Sequence, residues 1–128
     1  MANTVPTTRL RKINARRARV VDQAEALLAG YLGEPIATED LCAVIGVSEV
    51  TLRSAFQRVH GVTPGHYMLR ERLARVHEAL EQGEFMNVAA AATEYGFFDS
   101  GLFATCYKQQ FGEYPADTLK NALVRRVS

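Results

Sequence analysis

The chain has 128 residues, of which 48% are hydrophobic, which is enough for one or two small cores without disulfide staples. It contains no run of about 18 consecutive apolar residues, so we expect no membrane-spanning segment. The net charge of +1 gives no global sign of a nucleic-acid partner, although a cluster of arginines and a lysine precedes the first acidic residue, Asp22.

The N-terminal segment, Met1–Ala15, is polar and basic and has no apolar central region, so it is not a signal peptide. We interpret it as a flexible leader or an interdomain linker. Cys42 and Cys106 each lie among small apolar residues inside a predicted helix. This setting favours buried free thiols over a disulfide, and it indicates a reducing compartment.

A first helix is predicted to begin near Arg16, because apolar residues keep to one face over several turns. The residues on that face are Val20, Val21, Ala24, Leu27, Leu28, Tyr31 and Leu32. We expect Gly33, Glu34 and Pro35 to end this helix, because glycine and proline both interrupt helical structure.

The next stretch, Thr38–Pro64, has the layout of a helix-turn-helix. Glu39–Ile45 is predicted as a short amphipathic helix with Thr38 as its N-cap. Gly46 breaks the pattern, and Ser48 is placed to cap a second helix. That helix has hydrogen-bonding and cationic side chains opposite its apolar stripe, as a DNA-recognition helix does. A plain helical hairpin shares the pattern, so both interpretations remain open at this point.

The remainder of the chain is also predicted to be helical. A long helix over Pro64–Gln82 has Thr63 as its cap and ends at Gly83, and Asn87 and Asp99 are cap candidates for the helices that follow it. These three further helices cover Val88–Tyr95, Ser100–Phe111 and Pro115–Val124. The predicted fold is therefore all-α, with seven helices in two homeodomain-like helix-turn-helix units joined by a long linker helix. The predicted division is 1–15 as leader, 16–82 as the first unit with the linker helix, and 83–128 as the second unit.

An internal repeat supports this division. Ile45-Gly46-Val47 aligns with Tyr95-Gly96-Phe97 at an offset of 50, and Gly61 and Pro64 align with Gly112 and Pro115 at an offset of 51. The aligned positions share a physical role as turn glycine, helix stop or helix start, which indicates a duplicated helix-turn-helix. Two such units on a rigid spacer could reach successive major grooves, about 34 Å apart, on one face of DNA.

Two groups of residues resemble the DNA-binding domain of the AraC/XylS family. The first is Gly46-Val47-Ser48 with Leu52, Phe56 and Gly61-Val62-Thr63-Pro64, and the second is Tyr95-Gly96-Phe97 with Phe103, Tyr107, Phe111-Gly112 and Pro115. The resemblance covers about Val20–Leu123 and is nearest to members similar to the ethanolamine-operon regulator. It implies a bacterial, cytoplasmic, nucleoid-associated transcription regulator. Its two recognition helices are expected to enter adjacent major grooves of double-stranded promoter or operator DNA.

The resemblance also implies which residues contact bases. In the first unit the matching positions are Val50, Thr51, Arg53 and Ser54. Arg53 is expected to dominate, because arginine can donate two parallel hydrogen bonds to guanine. In the second unit the matching positions are Ser100, Gly101, Leu102, Ala104 and Thr105. Many family members place arginine or glutamine on this surface, so we expect this second helix to contribute position and shape fit more than base reading.

Phosphate contacts are expected from helix starts and from exposed cations. The candidates are Thr38, Ser48, Arg58, Arg70, Asn87 and Lys108. RNA polymerase is a further partner that the resemblance suggests. The sensor or dimerisation domain that family members usually have is expected to be missing from this chain.

An enzyme would have to use His60, His66 and His77, the two cysteines and scattered carboxylates. These residues have neither metal-ligand spacing nor the arrangement of an activated nucleophile, and no phosphate-cradling glycine motif is present. We therefore predict no catalysis, cofactor or metal, and we interpret the histidines as surface residues near a phosphate backbone. The alternative function is a protein-interaction module on the same scaffold, with weak or lost DNA binding.

Overall fold

A computed structural model describes residues 7–31 and 36–127 of the chain, and these residues form seven α-helices and no strand. The helices are α1 (Thr7–Ala29), α2 (Thr38–Ile45), α3 (Glu49–His60), α4 (Pro64–Glu81), α5 (Val88–Glu94), α6 (Ser100–Phe111) and α7 (Pro115–Val127). The predicted all-α fold with two helix-turn-helix pairs, α2–α3 and α5–α6, is confirmed. No helix in the described ranges is both long and apolar enough to cross a membrane.

Helix α1 begins at Thr7, so the predicted helix start near Arg16 is wrong and part of the expected flexible leader is helical. The side chains from Thr8 to Arg16 are all exposed, including those of Leu10 and Ile13. Because no buried stripe marks this part of the helix, apolar periodicity could not reveal it, even though arginine, lysine, leucine and alanine are strong helix formers. Residues 1–6 and the predicted stop at 33–35 lie outside the described residues.

The first compact unit (unit 1) contains the described residues up to Tyr67, and thus α1, α2, α3 and the first turn of α4. Helix α1 packs against both α2 and α3. The buried residues of these three helices are Val20, Val21, Ala24, Leu28, Leu41, Cys42, Leu52, Ala55 and Phe56. This core holds α3 with one side inward and leaves the opposite side to solvent.

The second compact unit (unit 2) contains the described residues from Met68 onward, with the rest of α4, α5, α6 and α7. Its core consists of Leu73, Val76, Leu80, Ala91, Ala92, Phe103 and Tyr107. The alanines of α5 allow close approach of the neighbouring helices, and the aromatic rings of α6 fill the space between them. The rings of Phe103 and Tyr107, one turn apart, have their centroids 5.7 Å from each other.

The division between the two compact units falls inside α4, between Tyr67 and Met68, whereas the sequence division was placed between Gln82 and Gly83. Tyr67 packs edge-on against Phe56 of α3, with ring centroids 5.4 Å apart, so the start of α4 belongs to the core of unit 1. The next buried turns of α4 belong to the core of unit 2. One continuous helix therefore supplies residues to both cores.

Side-chain caps begin four of the helices, as predicted, and the cap of α4 is Thr63, whose Oγ1 accepts from the N–H of His66 at 3.2 Å. Ser48 Oγ accepts from the N–H of Thr51 at 3.1 Å, Asn87 Oδ1 from that of Ala90 at 2.7 Å, and Asp99 Oδ1 from that of Leu102 at 3.0 Å. Helix α2 is different, because its N-cap position is Ala37, which has no side-chain acceptor, and Thr38 is already the first helical residue. The predicted cap at Thr38 is therefore wrong.

Gly46 forms the turn between α2 and α3. Its φ of +83° lies in the left-handed region, and its N–H donates to the carbonyl of Cys42 at 2.8 Å. Apart from Gly46 itself and its chain neighbours, no atom lies within 4 Å of the position that a Cβ would occupy. Glycine is therefore favoured here by backbone conformation and not by crowding.

Candidate nucleic-acid interface

The solvent-facing side of α3 holds the residues predicted to contact bases in unit 1. Leu52 and Phe56 are completely buried on the opposite side. Val50 is 73% exposed, and Arg53 and Ser54 are also exposed. Residues three and four positions apart share a helix face, so these three side chains present methyl groups, a guanidinium and a hydroxyl on neighbouring parts of one surface. Each of these groups has a partner on the edge of a base pair in the major groove.

Thr51 and Ser48 are linked to each other at the start of α3. The Ser48 hydroxyl donates to Thr51 Oγ1 at 3.0 Å while accepting the N–H of Thr51. Thr51 is half-buried and keeps its own hydroxyl proton, which can still be donated to a base or a phosphate oxygen. The Ser48 hydroxyl already donates one hydrogen bond and accepts another, so it is less available than the Thr51 hydroxyl to contact DNA.

Arg53 has an acidic neighbour on its own helix. Its Nη2 lies 3.8 Å from Oε1 of Glu49, one turn earlier, and both side chains are more than half exposed. The two side chains also line a pocket of about 370 Å³ whose other walls are Thr38, Thr63, Pro64 and Gly65. The starts of α2, α3 and α4 thus meet at this pocket, with Thr38 and Arg53 both on its walls.

The corresponding side of α6 in unit 2 offers few hydrogen-bond donors. Leu102 is 63% exposed, and Ser100 and Gly101 are exposed beside it. Thr105 is exposed as well, but its hydroxyl donates to the carbonyl of Gly101 at 3.0 Å within the same helix. Ala104 is half-buried and lines an apolar pocket instead of standing on the open surface. Only Ser100 and Thr105 of this predicted set have a side-chain hydroxyl. Among the described contacts, the hydroxyl of Ser100 is the one that does not donate to the helix backbone.

The cationic residues predicted to contact phosphate differ in whether their charged groups are already bound within the chain. Arg58 and Arg70 are exposed. Lys108 Nζ instead donates to the carbonyl of Gly112 at 3.0 Å and lies 5.1 Å from the centre of the Tyr114 ring. Its charge is thus held at the C-terminal end of α6, where it is favourable to the helix dipole. A contact with phosphate would have to replace that bond.

The remaining predicted phosphate contacts lie at helix starts. Asn87 uses its side-chain oxygen as the cap of α5, which leaves its NH₂ group as a possible donor. Thr38 is half-buried in the first turn of α2. With Ser48, these residues surround backbone N–H groups that attract anions.

The sequence interpretation of His60 as a surface residue near a phosphate backbone is wrong. Its side chain is 29% exposed, and its Nε2 is paired with the carboxylate of Glu25 on α1. Its ring stacks on Tyr67, with centroids 4.9 Å apart. His60 therefore joins α1, α3 and the start of α4 within unit 1.

His77 is likewise part of a packed network, here in unit 2. Its Nδ1 is hydrogen-bonded to the Tyr107 hydroxyl at 2.8 Å, and that hydroxyl donates to Thr118 Oγ1 at 2.8 Å. Its Nε2 lies 3.1 Å from Glu81. Burial raises the pKa of Tyr107 to about 12, so the hydroxyl stays neutral at physiological pH. This network ties α4, α6 and α7 together.

Metal and thiol chemistry have little basis in the described residues. No three histidine, cysteine, aspartate or glutamate side chains in that part of the chain come together in a way that could hold a metal ion. Cys42 is buried and Cys106 half-buried, and both are free thiols. Burial, with a contribution from the negative charge of Glu49, raises the pKa of the Cys42 thiol and disfavours the reactive thiolate.

Comparison with known proteins agrees with this geometry. A family model described as a helix-turn-helix domain matches residues 41–121. The crystal structure of a probable AraC family transcriptional regulator from Rhodopseudomonas palustris CGA009 is 37% identical, with a TM-score of 0.76. The match covers 81% of this chain and 97% of that one. The chain belongs to the AraC family.

Further proteins are similar to this AraC-family domain in structure or in sequence. An AraC-type regulator structure from Chromobacterium violaceum is 25% identical with a TM-score of 0.77, covering 84% of this chain and 96% of that one. HTH-type transcriptional regulator GbdR of Pseudomonas aeruginosa (strain UCBPP-PA14) is 34% identical over 92 residues, which are 72% of this chain and 25% of GbdR. XylDLEGF operon transcriptional activator 3 of Pseudomonas putida is 33% identical over 91 residues, 70% of this chain and 28% of the relative.

These relatives show that the AraC-family domain serves sequence-specific DNA binding in transcription regulation. The chain spans about a quarter of the length of the first curated relatives that it matches. The similarity to ethanolamine-operon regulators in particular stays a prediction.

Three exposed residues of the AraC-family domain were missing from the predicted contact set. Gln57 lies on α3 one turn after Arg53 and Ser54, and Gln109 lies on α6 one turn after Thr105. Their spacing was a sufficient signal, because glutamine side chains on a recognition helix can bond adenine. The third residue, Phe98, is 78% exposed just before the cap of α6. Its exposure could not be predicted from the sequence, because a phenylalanine next to Phe97 is expected in the core.

Proposed function

We propose that this AraC-family domain places the N-terminal halves of α3 and α6 in successive major grooves of double-stranded promoter or operator DNA. Each compact unit contains a helix-turn-helix pair whose second helix is N-capped by a side chain, buried on one side and exposed on the other. In such pairs the N-terminal residues of the second helix contact base edges. Successive grooves on one face of DNA are about 34 Å apart, which is the spacing that two linked units are expected to match.

The exposed side of α3 supports this proposal most strongly. Arg53 would donate two hydrogen bonds to a guanine, and the Thr51 hydroxyl would bond a base or a phosphate. Val50 would pack on a thymine methyl group, and Ser54 would bond to a base edge one turn further along the helix. Because Leu52 and Phe56 are buried behind them, these four side chains are held on a rigid surface and not on a mobile loop.

In unit 2, Ser100, Gly101, Leu102, Ala104 and Thr105 would face the second groove with fewer hydrogen bonds to bases. The Thr105–Gly101 bond and the half-buried position of Ala104 support this difference between the units. Phosphate contacts would fix the position of both helices on the duplex. The residues proposed for them are Thr38, Ser48, Arg58, Arg70, Asn87 and Lys108.

The wider role of the protein is part of the same proposal. An AraC-family domain would act in the bacterial cytoplasm on nucleoid DNA, with a sensor domain elsewhere in the regulator and RNA polymerase as a second partner. It would need no cofactor and would catalyse no reaction. The partial coverage of GbdR, with 25% of its length matched, is compatible with a separate sensor domain.

Duplex binding measured against salt tests the proposal. A bound sequence would first be selected from a random duplex library, and its affinity would then be measured by fluorescence anisotropy at several salt concentrations. If the domain neutralises several phosphates, the logarithm of the association constant should fall linearly with the logarithm of salt, by about 0.9 per phosphate. Absence of selection and of salt-dependent binding would contradict the proposal.

A protein-interaction module is the second candidate function, and the donor-poor surface of α6 favours it. In that case the exposed apolar side chains of unit 2 would bind a protein, and DNA affinity would be weak and similar for all sequences. The salt experiment separates the two functions, because only the DNA reader should prefer its selected sequence over random duplex at a fixed salt concentration.

A further inference from the structure

The N-terminal end of α6 presents two large apolar side chains to solvent. Phe98, two residues before the helix, is 78% exposed, and Leu102, in its first turn, is 63% exposed. Both lie at the start of the second recognition helix, the part of a helix-turn-helix that contacts base edges. The pair Phe98 and Leu102 is called the apolar patch below.

Two polar groups near the apolar patch make hydrogen bonds inside unit 2. Asp99 Oδ1 accepts the N–H of Leu102, and Thr105 donates to the carbonyl of Gly101. Asp99 thereby fixes the first turn of α6, which positions Leu102. Besides the two apolar side chains, the surface that remains for a ligand carries the Ser100 hydroxyl and the exposed Asp99 carboxylate.

Phe98 borders an apolar pocket of about 400 Å³ in unit 2. The pocket is also lined by residues of α5, including Val88, Ala89 and Ala92, and by Phe97, Phe103 and Ala104. Most of Phe98 stays accessible to solvent. Apolar surface therefore continues from Phe98 into unit 2.

The occupant that fits this patch follows from where it lies. The N-terminal end of a recognition helix enters the major groove, and the C5-methyl group of thymine is the apolar group that base pairs present there. We propose that unit 2 recognises thymine methyl groups through Leu102 and Phe98, so that its half-site is read by apolar contact in place of hydrogen bonds. This inference rests on the proposed function, and it names the base that the second recognition helix selects.

Replacement of thymine by deoxyuridine tests the inference directly, because it removes only the methyl group and leaves all hydrogen-bonding atoms in place. The DNA would be the sequence selected by the full 128-residue chain. To find the unit 2 half-site, base pairs of the selected duplex would be substituted one at a time, and affinities of the unaltered chain and of Arg53→Ala would be compared. The unit 2 half-site is the half in which Arg53→Ala leaves the base preferences unchanged. Each thymine there would be replaced in turn, and affinity is expected to fall roughly four-fold for each contacted methyl, the factor for burying one carbon group.

Two variants assign the effect to the patch. Leu102→Ala and Phe98→Ala should each abolish the deoxyuridine penalty at one or more positions of the unit 2 half-site, because the side chain that felt the methyl is gone. Both residues are exposed, so the fold should tolerate the changes, and circular dichroism would verify it. Val50→Ala is the matched control, since it truncates an exposed apolar residue of the other recognition helix and should leave this penalty unchanged.

The outcomes are distinct. A selected half-site without thymine, no penalty from deoxyuridine, or a penalty that persists in both patch variants would overturn the inference while leaving DNA binding intact. Concentration-dependent self-association that the patch variants abolish, without a methyl effect, would assign the patch to a second copy of the chain and would also overturn it. Failure of the unaltered chain to select any duplex would instead reject the proposed function, and the inference with it.

Discussion

The guanidinium of Arg53 lies 3.8 Å from the carboxylate of Glu49, one turn earlier on α3. Both side chains are more than half exposed, so water and salt screen the pair and its contribution to stability is small. The pair nevertheless matters for DNA, because Glu49 brings a negative charge to the surface that is proposed to approach phosphates. Arg53 must also leave Glu49 in order to reach a guanine.

Glu49→Gln is expected to tighten binding to the selected duplex by about two- to five-fold, the range that corresponds to a weak surface ion pair. The change removes the repelling charge and the competing partner of Arg53 while keeping the shape of the side chain. Fluorescence anisotropy at two salt concentrations would measure it, with Glu78→Gln, a partner of Arg75 on α4, as control. Weaker binding would indicate that Glu49 itself accepts a hydrogen bond from cytosine.

Arg53→Ala is expected to cost about 1–3 kcal/mol of binding free energy on the selected duplex and to relax base preference at one position. The reason is the loss of two hydrogen bonds to guanine. Affinities for the selected site and for its single-base variants would measure the effect. The control is Arg75→Ala, which removes the same charge from a similar exposed pair, 3.6 Å from Glu78. Equal losses on every sequence would show that Arg53 contacts phosphate.

Ala37→Ser is expected to stabilise the chain by about 1 kcal/mol, because it supplies the cap that α2 lacks. The backbone of Ala37 is already extended, with φ −75° and ψ 142°, as an N-cap residue requires. Urea unfolding would measure the change, and Ser48→Ala, which removes the existing cap of α3, should lower stability by a similar amount. An unchanged midpoint for Ala37→Ser would mean that water already satisfies these N–H groups.

Stability is expected to fall between pH 10 and pH 12 because of Tyr107. The pKa of Tyr107 is raised to about 12 in the folded chain, against about 10 for an exposed tyrosine. A raised folded-state pKa means that the stabilisation is complete below pH 10 and is lost as pH rises through 12, by about 2–3 kcal/mol. Urea midpoints measured from pH 9 to pH 12 would follow this loss.

Tyr107→Phe should remove this alkaline loss, since phenylalanine does not titrate. At neutral pH the variant should be less stable by about 1–3 kcal/mol, because the hydrogen bonds to Thr118 and to His77 are gone. Tyr114→Phe is the matched control, because that ring is half exposed. If the alkaline loss is the same in Tyr107→Phe as in the unaltered chain, another group is responsible for it.

Local rules accounted for most of the helix boundaries. The caps Ser48, Asn87 and Asp99 and the helix Ser100–Phe111 were predicted from sequence and are present. They depend on residues within one turn of each other, and such short-range chemistry is visible in sequence. The presence of two helix-turn-helix units could be predicted because the internal repeat aligns positions that have the same local role.

Features that depend on contacts distant in sequence were not predictable in this way. His60 and Glu25 meet across 35 positions of the chain, and His77 and Tyr107 across 30. The spacing of these residues in the sequence predicts neither contact. The start of α1 at Thr7 was missed for the opposite reason, because its first turns are exposed and carry no apolar pattern. Which base-contacting residues reach DNA stays a prediction.

The open space around Gly46 determines which substitutions there destabilise the fold least. Apart from Gly46 itself and its chain neighbours, no atom lies within 4 Å of the Cβ position, so a Cβ is not crowded and the handedness of the backbone is what selects the residue. Asparagine enters the left-handed region more readily than alanine does. Gly46→Asn should therefore be the milder of the two changes although its side chain is the larger, a reversal of the ranking that governs buried positions.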